Sequence, residues 1–206
     1  LSLWQSAGLG ASDPVNLYVH VPFCTRKCGY CKYASDEVRD PARVDAYLSE
    51  ILSSIEMFAP VFAPVEFRTF YMGGGTVTTL SPQQLDTLLG TAFSGFRVRE
   101  DSRTSEFGLD TCTLEHLRVM KRNGIGRISC GIQTFDEAIL RHYNRPIPDP
   151  ARVAEILGFA RENFATNNTD LIFGLAGQTV SSFLEDVERL VAFDPGEIHC
   201  YFYEPN

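Results

Sequence analysis

Cys24, Cys28 and Cys31, half of the six cysteines in this chain, are spaced C-x3-C-x2-C in the stretch FCTRKCGYCKY. Thiols this close in a polar, Gly-containing loop suit the donors of a metal centre better than core side chains. Two centres compete. Structural zinc takes four Cys/His ligands, and His20 could complete a Cys3His set, although it lies four residues before Cys24 inside a strand-like run. Three thiolates alone suit an iron–sulfur cluster with one iron lacking a protein ligand. An open iron is useful only where something else must bind. Of the other cysteines, Cys130 reads as a core thiol, and Cys112 and Cys200 as structural.

Further residues could build a site around that loop. Gly73, Gly74 and Gly75 run consecutively in YMGGGTVTTL, which lets backbone groups approach a ligand closely. No Gly-Lys-Ser/Thr follows, which argues against a phosphate-binding P-loop. Glu106 ends the strand-like RTSEF; a lone Glu there is ordinarily a solvated side chain. In GRISCGIQT, alternation puts Arg127, Ser129, Gly131 and Gln133 on one face and Ile128, Cys130 and Ile132 on the other. Asp170 sits in the β-rich NTDLIFGL, where a carboxylate is costly without a partner. Arg145 follows in a loop, where solvation alone could explain it.

These residues fall at the ends of alternating elements. Strand-like runs cover 16–23, 66–74, 103–109, 126–134, 168–175 and 197–205. Helical periodicity, N-caps and early prolines mark 40–58, 81–93, 113–124, 136–143, 150–164 and 179–193. Such alternation with short connections predicts a parallel sheet covered by helices. A doubly wound sheet would carry G-x-G-x-x-G after the first strand. Cysteines stand there instead, which favours an α/β fold of the (β/α)6 partial-barrel type. Residues 1–15 are expected to be a lead-in and 16–206 the core domain. Because the chain begins with Leu1, it is expected to be an internal piece or a trimmed product.

With 206 residues, 44% hydrophobic and 21% charged, the chain can bury a sizeable core. Its net charge of −8 and scattered cations argue against nucleic acid. No apolar run approaches the roughly 18 residues of a membrane span. Tight cysteine spacing without a disulfide framework points to a reducing, cytoplasmic setting.

The stretch LYVHVPFCTRKCGYCKY resembles the cluster loop of the radical S-adenosylmethionine (SAM) superfamily, in its branch of oxygen-independent coproporphyrinogen oxidases, haem chaperones and methyltransferase relatives. The resemblance runs over about 16–205. It implies that Cys24, Cys28 and Cys31 hold a 4Fe–4S cluster whose fourth iron binds SAM. It further implies SAM contacts from Gly74, Gly75 and Thr76, with Val77 replacing the family's proline, and from Glu106, Gln133, Arg145 and Asp170. The match at Glu106 lacks the Asn-Pro that usually follows, and Ala176 replaces a proline in DLIFGLAGQT. His20 becomes a neighbour of the cluster and Tyr18, on the same strand face, a wall of its pocket. The expected chemistry is reductive cleavage of SAM to a 5′-deoxyadenosyl radical, fed by a donor such as flavodoxin or ferredoxin.

Three reactions fit that frame. Coproporphyrinogen dehydrogenases typically carry a further cysteine where this chain has Tyr33, and the chaperones generally show Arg-x-His where Arg145-Pro146-Ile147 stands. The departures favour a methyl or methylene transferase that uses two SAM molecules on a natural product or other sp2-carbon substrate, with a tetrapyrrole as the alternative. The family's C-terminal domain, which would bear on substrate choice, is expected to be absent from this chain.

Overall fold

The computed structural model describes Ser6, Gly8 and Asp13–Pro205, so the expected lead-in lies mostly outside the described residues. Six strands, β1 (Asn16–Val21), β2 (Thr69–Gly74), β3 (Arg103–Phe107), β4 (Arg127–Gln133), β5 (Thr166–Phe173) and β6 (Glu197–Phe202), form one sheet in chain order. Every neighbouring pair is parallel. The intervening helices are α1 (Pro41–Phe62), α2 (Pro82–Gly95), α3 (Leu114–Arg122), α4 (Glu137–His142), α5 (Pro150–Asn163) and α6 (Val180–Val191). β1 and β6 stay unpaired with each other, so the sheet is open. This is the expected α/β partial barrel.

Each helix starts on a side chain that accepts a backbone N–H: Asp40, Ser81, Thr113, Asp136, Asp149 and Thr179. Such a cap stabilises a helix by about 1 kcal/mol. At α3 the box is closed by His116, whose Nε2 lies 2.8 Å from the Leu80 carbonyl and ties α3 to the approach to α2. Inner-layer side chains Val19, Val21, Phe70, Met72, Ile128, Cys130 and Leu171 are buried, as are Leu85, Leu89, Leu117, Met120, Ile156 and Leu190 from the helices. Burying each large apolar side chain contributes roughly 1.5–3 kcal/mol.

Several boundaries differ from expectation, and two of the differences have a plain cause. Helix α1 runs past Pro60 to Phe62; a proline this close to the end breaks little, and Phe58, Ala59 and Phe62 pack the last turn on the core. The strand expected over 66–74 divides. Glu66–Phe67 pairs with Arg97–Val98, Arg68 N donates to the Val15 carbonyl, and β2 begins at Thr69.

Candidate functional site

The thiol loop leaves the carboxyl end of β1, where barrels of this kind place their sites. Several contacts fix it. Gly29 N donates to the Tyr143 carbonyl at 2.8 Å, and Asn144 Nδ2 to the Lys27 carbonyl at 3.1 Å, clamping the loop to the end of α4. Lys27 Nζ donates to the Tyr33 carbonyl at 2.6 Å and to Ser35 Oγ at 2.8 Å. Cys31 N closes a turn on the Cys28 carbonyl at 3.0 Å. Cys24, Cys28 and Cys31 all line one cavity of about 740 Å³, a volume typical of small-molecule sites. The Thr76 hydroxyl donates to Cys24 Sγ at 3.7 Å and Arg145 Nη1 to Cys28 Sγ at 3.8 Å. Burial, opposed by Thr76, pushes the Cys24 thiol up, so a thiolate there calls for a cation beside it.

His20 has both ring nitrogens engaged, Nδ1 with the Tyr18 hydroxyl at 2.9 Å and Nε2 with the Ala34 carbonyl at 2.7 Å. It does not line the cavity. Among the described residues, no three His, Cys, Asp or Glu groups are gathered closely enough for a single metal ion. Three thiols spread around one cavity wall fit a multi-iron cluster better than zinc.

The glycine run earns its composition by crowding. A Cβ on Gly73 would sit 2.7 Å from the Glu106 carboxyl group, one on Gly74 2.6 Å from the His20 ring, and one on Gly75 2.5 Å from the Phe23 carbonyl oxygen. Gly74 also adopts φ of 119°, which only glycine takes freely. Gly75 N and Thr76 N donate to the carbonyls of Val21 and Phe23 at 2.7 and 2.6 Å, so the run is stitched to the start of the thiol loop. Val77, where the resemblance leads one to expect proline, is fully buried and opens a short 3-10 turn.

Glu106 is brought to this run by β3. Its Oε1 accepts from the Tyr71 hydroxyl at 2.6 Å and its Oε2 from Gly74 N at 3.4 Å. Burial outweighs both bonds and holds the carboxyl group above the usual range. Asp170 on β5 is likewise pushed up, chiefly by burial, with Asn168 Nδ2 donating to it at 2.6 Å. His199 Nδ1 on β6 lies 3.8 Å from Asp170 Oδ1.

Gln133 ends β4 where the ladder to β5 slips between Gly131 and Gln133. Its φ of 73° is a left-handed conformation, costing a non-glycine residue of order 1–3 kcal/mol. The face expected along β4 is kept even so: a Cβ on Gly131 would meet the Gln133 side chain, and Arg127, Ser129, Gly131 and Gln133 all line the cavity. Cys130 and Ile132 are buried as expected yet also reach the cavity wall. Gln133 Oε1 and Asn168 Oδ1, both on the lining, are buried without a hydrogen-bond partner. Arg145 donates to the Tyr30 hydroxyl at 2.9 Å and to the Gly131 carbonyl. Of the expected site residues, Gly74, Gly75, Thr76, Glu106, Gln133, Arg145 and Asp170 share the cavity with the three thiols. Tyr18 does not: it stands on the open edge of the sheet, half-exposed, and stacks on Tyr71, which does line the cavity.

The sequence model of the radical SAM superfamily matches residues 18–190. The chain belongs to the radical SAM superfamily. Oxygen-independent coproporphyrinogen III oxidase of Escherichia coli (strain K12) is 33% identical over 197 residues, covering 92% of this chain and 42% of that protein. Heme chaperone HemW of the same organism is 30% identical over 199 residues, covering 94% and 52%. The solved structure of coproporphyrinogen III oxidase HemN from Escherichia coli superposes with a TM-score of 0.90 at 30% identity, covering 98% of this chain and 47% of that one. At 12% identity, the methyltransferase TsrM from Kitasatospora setae shares the fold, with a TM-score of 0.63, covering 91% of this chain and 36% of that one. The chain thus spans about half the length of the curated relatives it matches, and it lies in the branch of those oxidases and chaperones.

Radical SAM proteins work with a 4Fe–4S cluster and SAM, and this cavity fits both groups. Its wall offers three thiols, a glycine cradle that any side chain would fill, a buried carboxylate and two orphaned amide oxygens. Sequence reasoning missed Tyr71, His199 and Tyr201 as lining residues. Tyr71 was findable, since it alternates in register with Gly73. No local signal marks His199 or Tyr201. No helix among the described residues is long and apolar enough to cross a membrane.

Proposed function

We propose that this chain is the core of a radical SAM enzyme that transfers a methyl or methylene unit to an sp2 carbon of a small molecule, a natural product or a compound like one. The convergence of three thiols, the glycine cradle and Glu106 on one cavity carries the radical SAM part of this reading. When bound, the cluster and SAM supply one-electron reductive cleavage to a 5′-deoxyadenosyl radical, the electron coming from a carrier such as flavodoxin or ferredoxin. Cys24, Cys28 and Cys31 would hold the cluster. The Gly74–Thr76 backbone would receive the methionyl part of SAM, and Glu106 would accept hydrogen bonds from ribose hydroxyls. The orphaned Gln133 and Asn168 oxygens would accept further donors, and Arg145 ties Cys28, Tyr30 and the Gly131 carbonyl together at the wall of the SAM site. Tyr30 and Tyr71 line the cavity and exclude water from it, which protects a radical.

Transfer rather than oxidation rests on Tyr33, which lines the cavity two residues after the third thiol, where coproporphyrinogen oxidases typically hold cysteine. The second reading is decarboxylating oxidation of a tetrapyrrole, or haem carriage. The coproporphyrinogen oxidase and HemW relatives support it. We place the protein in the cytoplasm.

Full-length protein, reconstituted without oxygen and given methyl-labelled SAM and reductant, should form 5′-deoxyadenosine. S-adenosylhomocysteine and label in a product support transfer. Decarboxylated tetrapyrrole without S-adenosylhomocysteine supports oxidation, and haem binding without turnover supports the chaperone. Protein containing zinc and no iron overturns all three.

A further inference from the structure

The charge lining the cavity says which substrates it can hold. The lining cations are Arg26, Lys32, Arg127, Arg145 and Arg189, and they face an equal number of carboxylates. Most of the cations are committed. Arg127 Nη2 pairs with Glu197 at 2.6 Å and Lys32 with Glu204 at 3.2 Å. Arg145 donates to the Tyr30 hydroxyl, the Gly131 carbonyl and Cys28 Sγ. Arg189 lies 4.4 Å over the Phe135 ring. Of these five lining cations, only Arg26 has no side-chain partner among the described residues, and it is exposed at the mouth. A ligand with several carboxylates would therefore enter a cavity of no net positive charge, past Glu106 and Asp170, and find one free guanidinium. Unpaired charges brought out of water are costly, and like charges in a cleft repel a ligand.

What the mouth does offer is exposed aromatic surface. Tyr33 is 72% and Tyr201 52% exposed although both line the cavity. Large rings left in water beside a site are characteristic of a binding surface.

We infer that the cavity mouth takes a flat, unsaturated ring bearing at most one carboxylate, laid against Tyr33 and Tyr201 with Arg26 receiving that carboxylate. This rests on the reading that the cavity is the substrate site, and it names the substrate class. It separates the chain from relatives whose names specify a polycarboxylate tetrapyrrole.

The test compares two probes with the same ring, naphthoate and naphthalenetetracarboxylate, together with coproporphyrin III. Each is titrated by fluorescence into full-length, cluster-loaded protein with SAM bound. Naphthoate should bind at least tenfold more tightly than the other two. Tyr33→Ala and Tyr201→Ala should each weaken naphthoate about tenfold, which is about 1.4 kcal/mol, whereas Tyr33→Phe and Tyr201→Phe should retain most of the affinity. Equal or tighter binding of the tetracarboxylate or of coproporphyrin III overturns the inference, as does naphthoate affinity indifferent to both alanine changes. If 5′-deoxyadenosine still forms from SAM in that case, the inference alone has failed. If it does not form, the proposed function has failed with it.

Discussion

Adding one methyl group to a glycine should have opposite effects at two positions of this fold. At Gly75 the new Cβ would meet the Phe23 carbonyl oxygen at 2.5 Å and its carbon at 2.8 Å. Both are backbone atoms, which cannot swing aside as a side chain does. Reaching an ordinary contact of 3.4 Å requires the two segments to part by about 0.9 Å. Overpacking of this kind costs roughly 1–3 kcal/mol. The same displacement strains the bonds from Gly75 N and Thr76 N to Val21 and Phe23, each contributing about 0.5–1.5 kcal/mol. Gly75→Ala is therefore expected to lose about 2–4 kcal/mol and to loosen the loop bearing Cys24. At Gly90, within α2, a Cβ meets nothing within 4 Å, and alanine should stabilise the helix by about 0.5–1 kcal/mol. Urea unfolding of each variant gives the stabilities, and iron content after reconstitution reports the loop. A Gly75→Ala protein within 0.5 kcal/mol of the parent that still takes up full iron would refute the claim that the cradle is packed against the thiol loop.

Three further outcomes follow from the same geometry. Cys24→Ala, Cys28→Ala and Cys31→Ala should each abolish the iron–sulfur absorbance, whereas Cys112→Ala or Cys200→Ala should retain it; iron retained in any of the first three would remove that residue from the ligand set. Glu106 is held protonated to a higher pH in the fold than in the unfolded chain, so its contribution to stability is complete below the ordinary Glu range and is lost as pH rises through the raised value. Glu106→Gln should flatten that acid-side slope in pH-dependent unfolding and weaken SAM binding at least tenfold. Asp186 on α6 accepts from the Thr134 hydroxyl and from Phe135 N, both at 2.7 Å; Asp186→Leu leaves one buried and one half-buried donor without their acceptor and should cost about 2–4 kcal/mol in denaturant unfolding.

Much of this protein is legible in local sequence because its causes are local. The thiol spacing, the Asp and Ser/Thr caps, and the alternation of periods two and 3.6 come from backbone geometry within a few residues. These fixed the six strands of the main sheet, the helices between them, their parallel order and the placing of motifs at strand ends. The glycine run, too, announced a close approach, although not of what. Tertiary structure alone decided that Gly73 is crowded by Glu106, Gly74 by His20 and Gly75 by Phe23, since those partners are brought together by strand pairing. It decided that His20 turns to Ala34 and Tyr18 rather than to a metal, and that Tyr18 stands outside the cavity on an open sheet edge. It also slipped the β4–β5 register at Gln133, a deviation that periodicity cannot foresee because it depends on the neighbouring strand. The chain by itself determined which groups carry the chemistry; only the parallel register of six strands determined which of them meet, because a contact between residues a hundred positions apart leaves no trace in either local pattern.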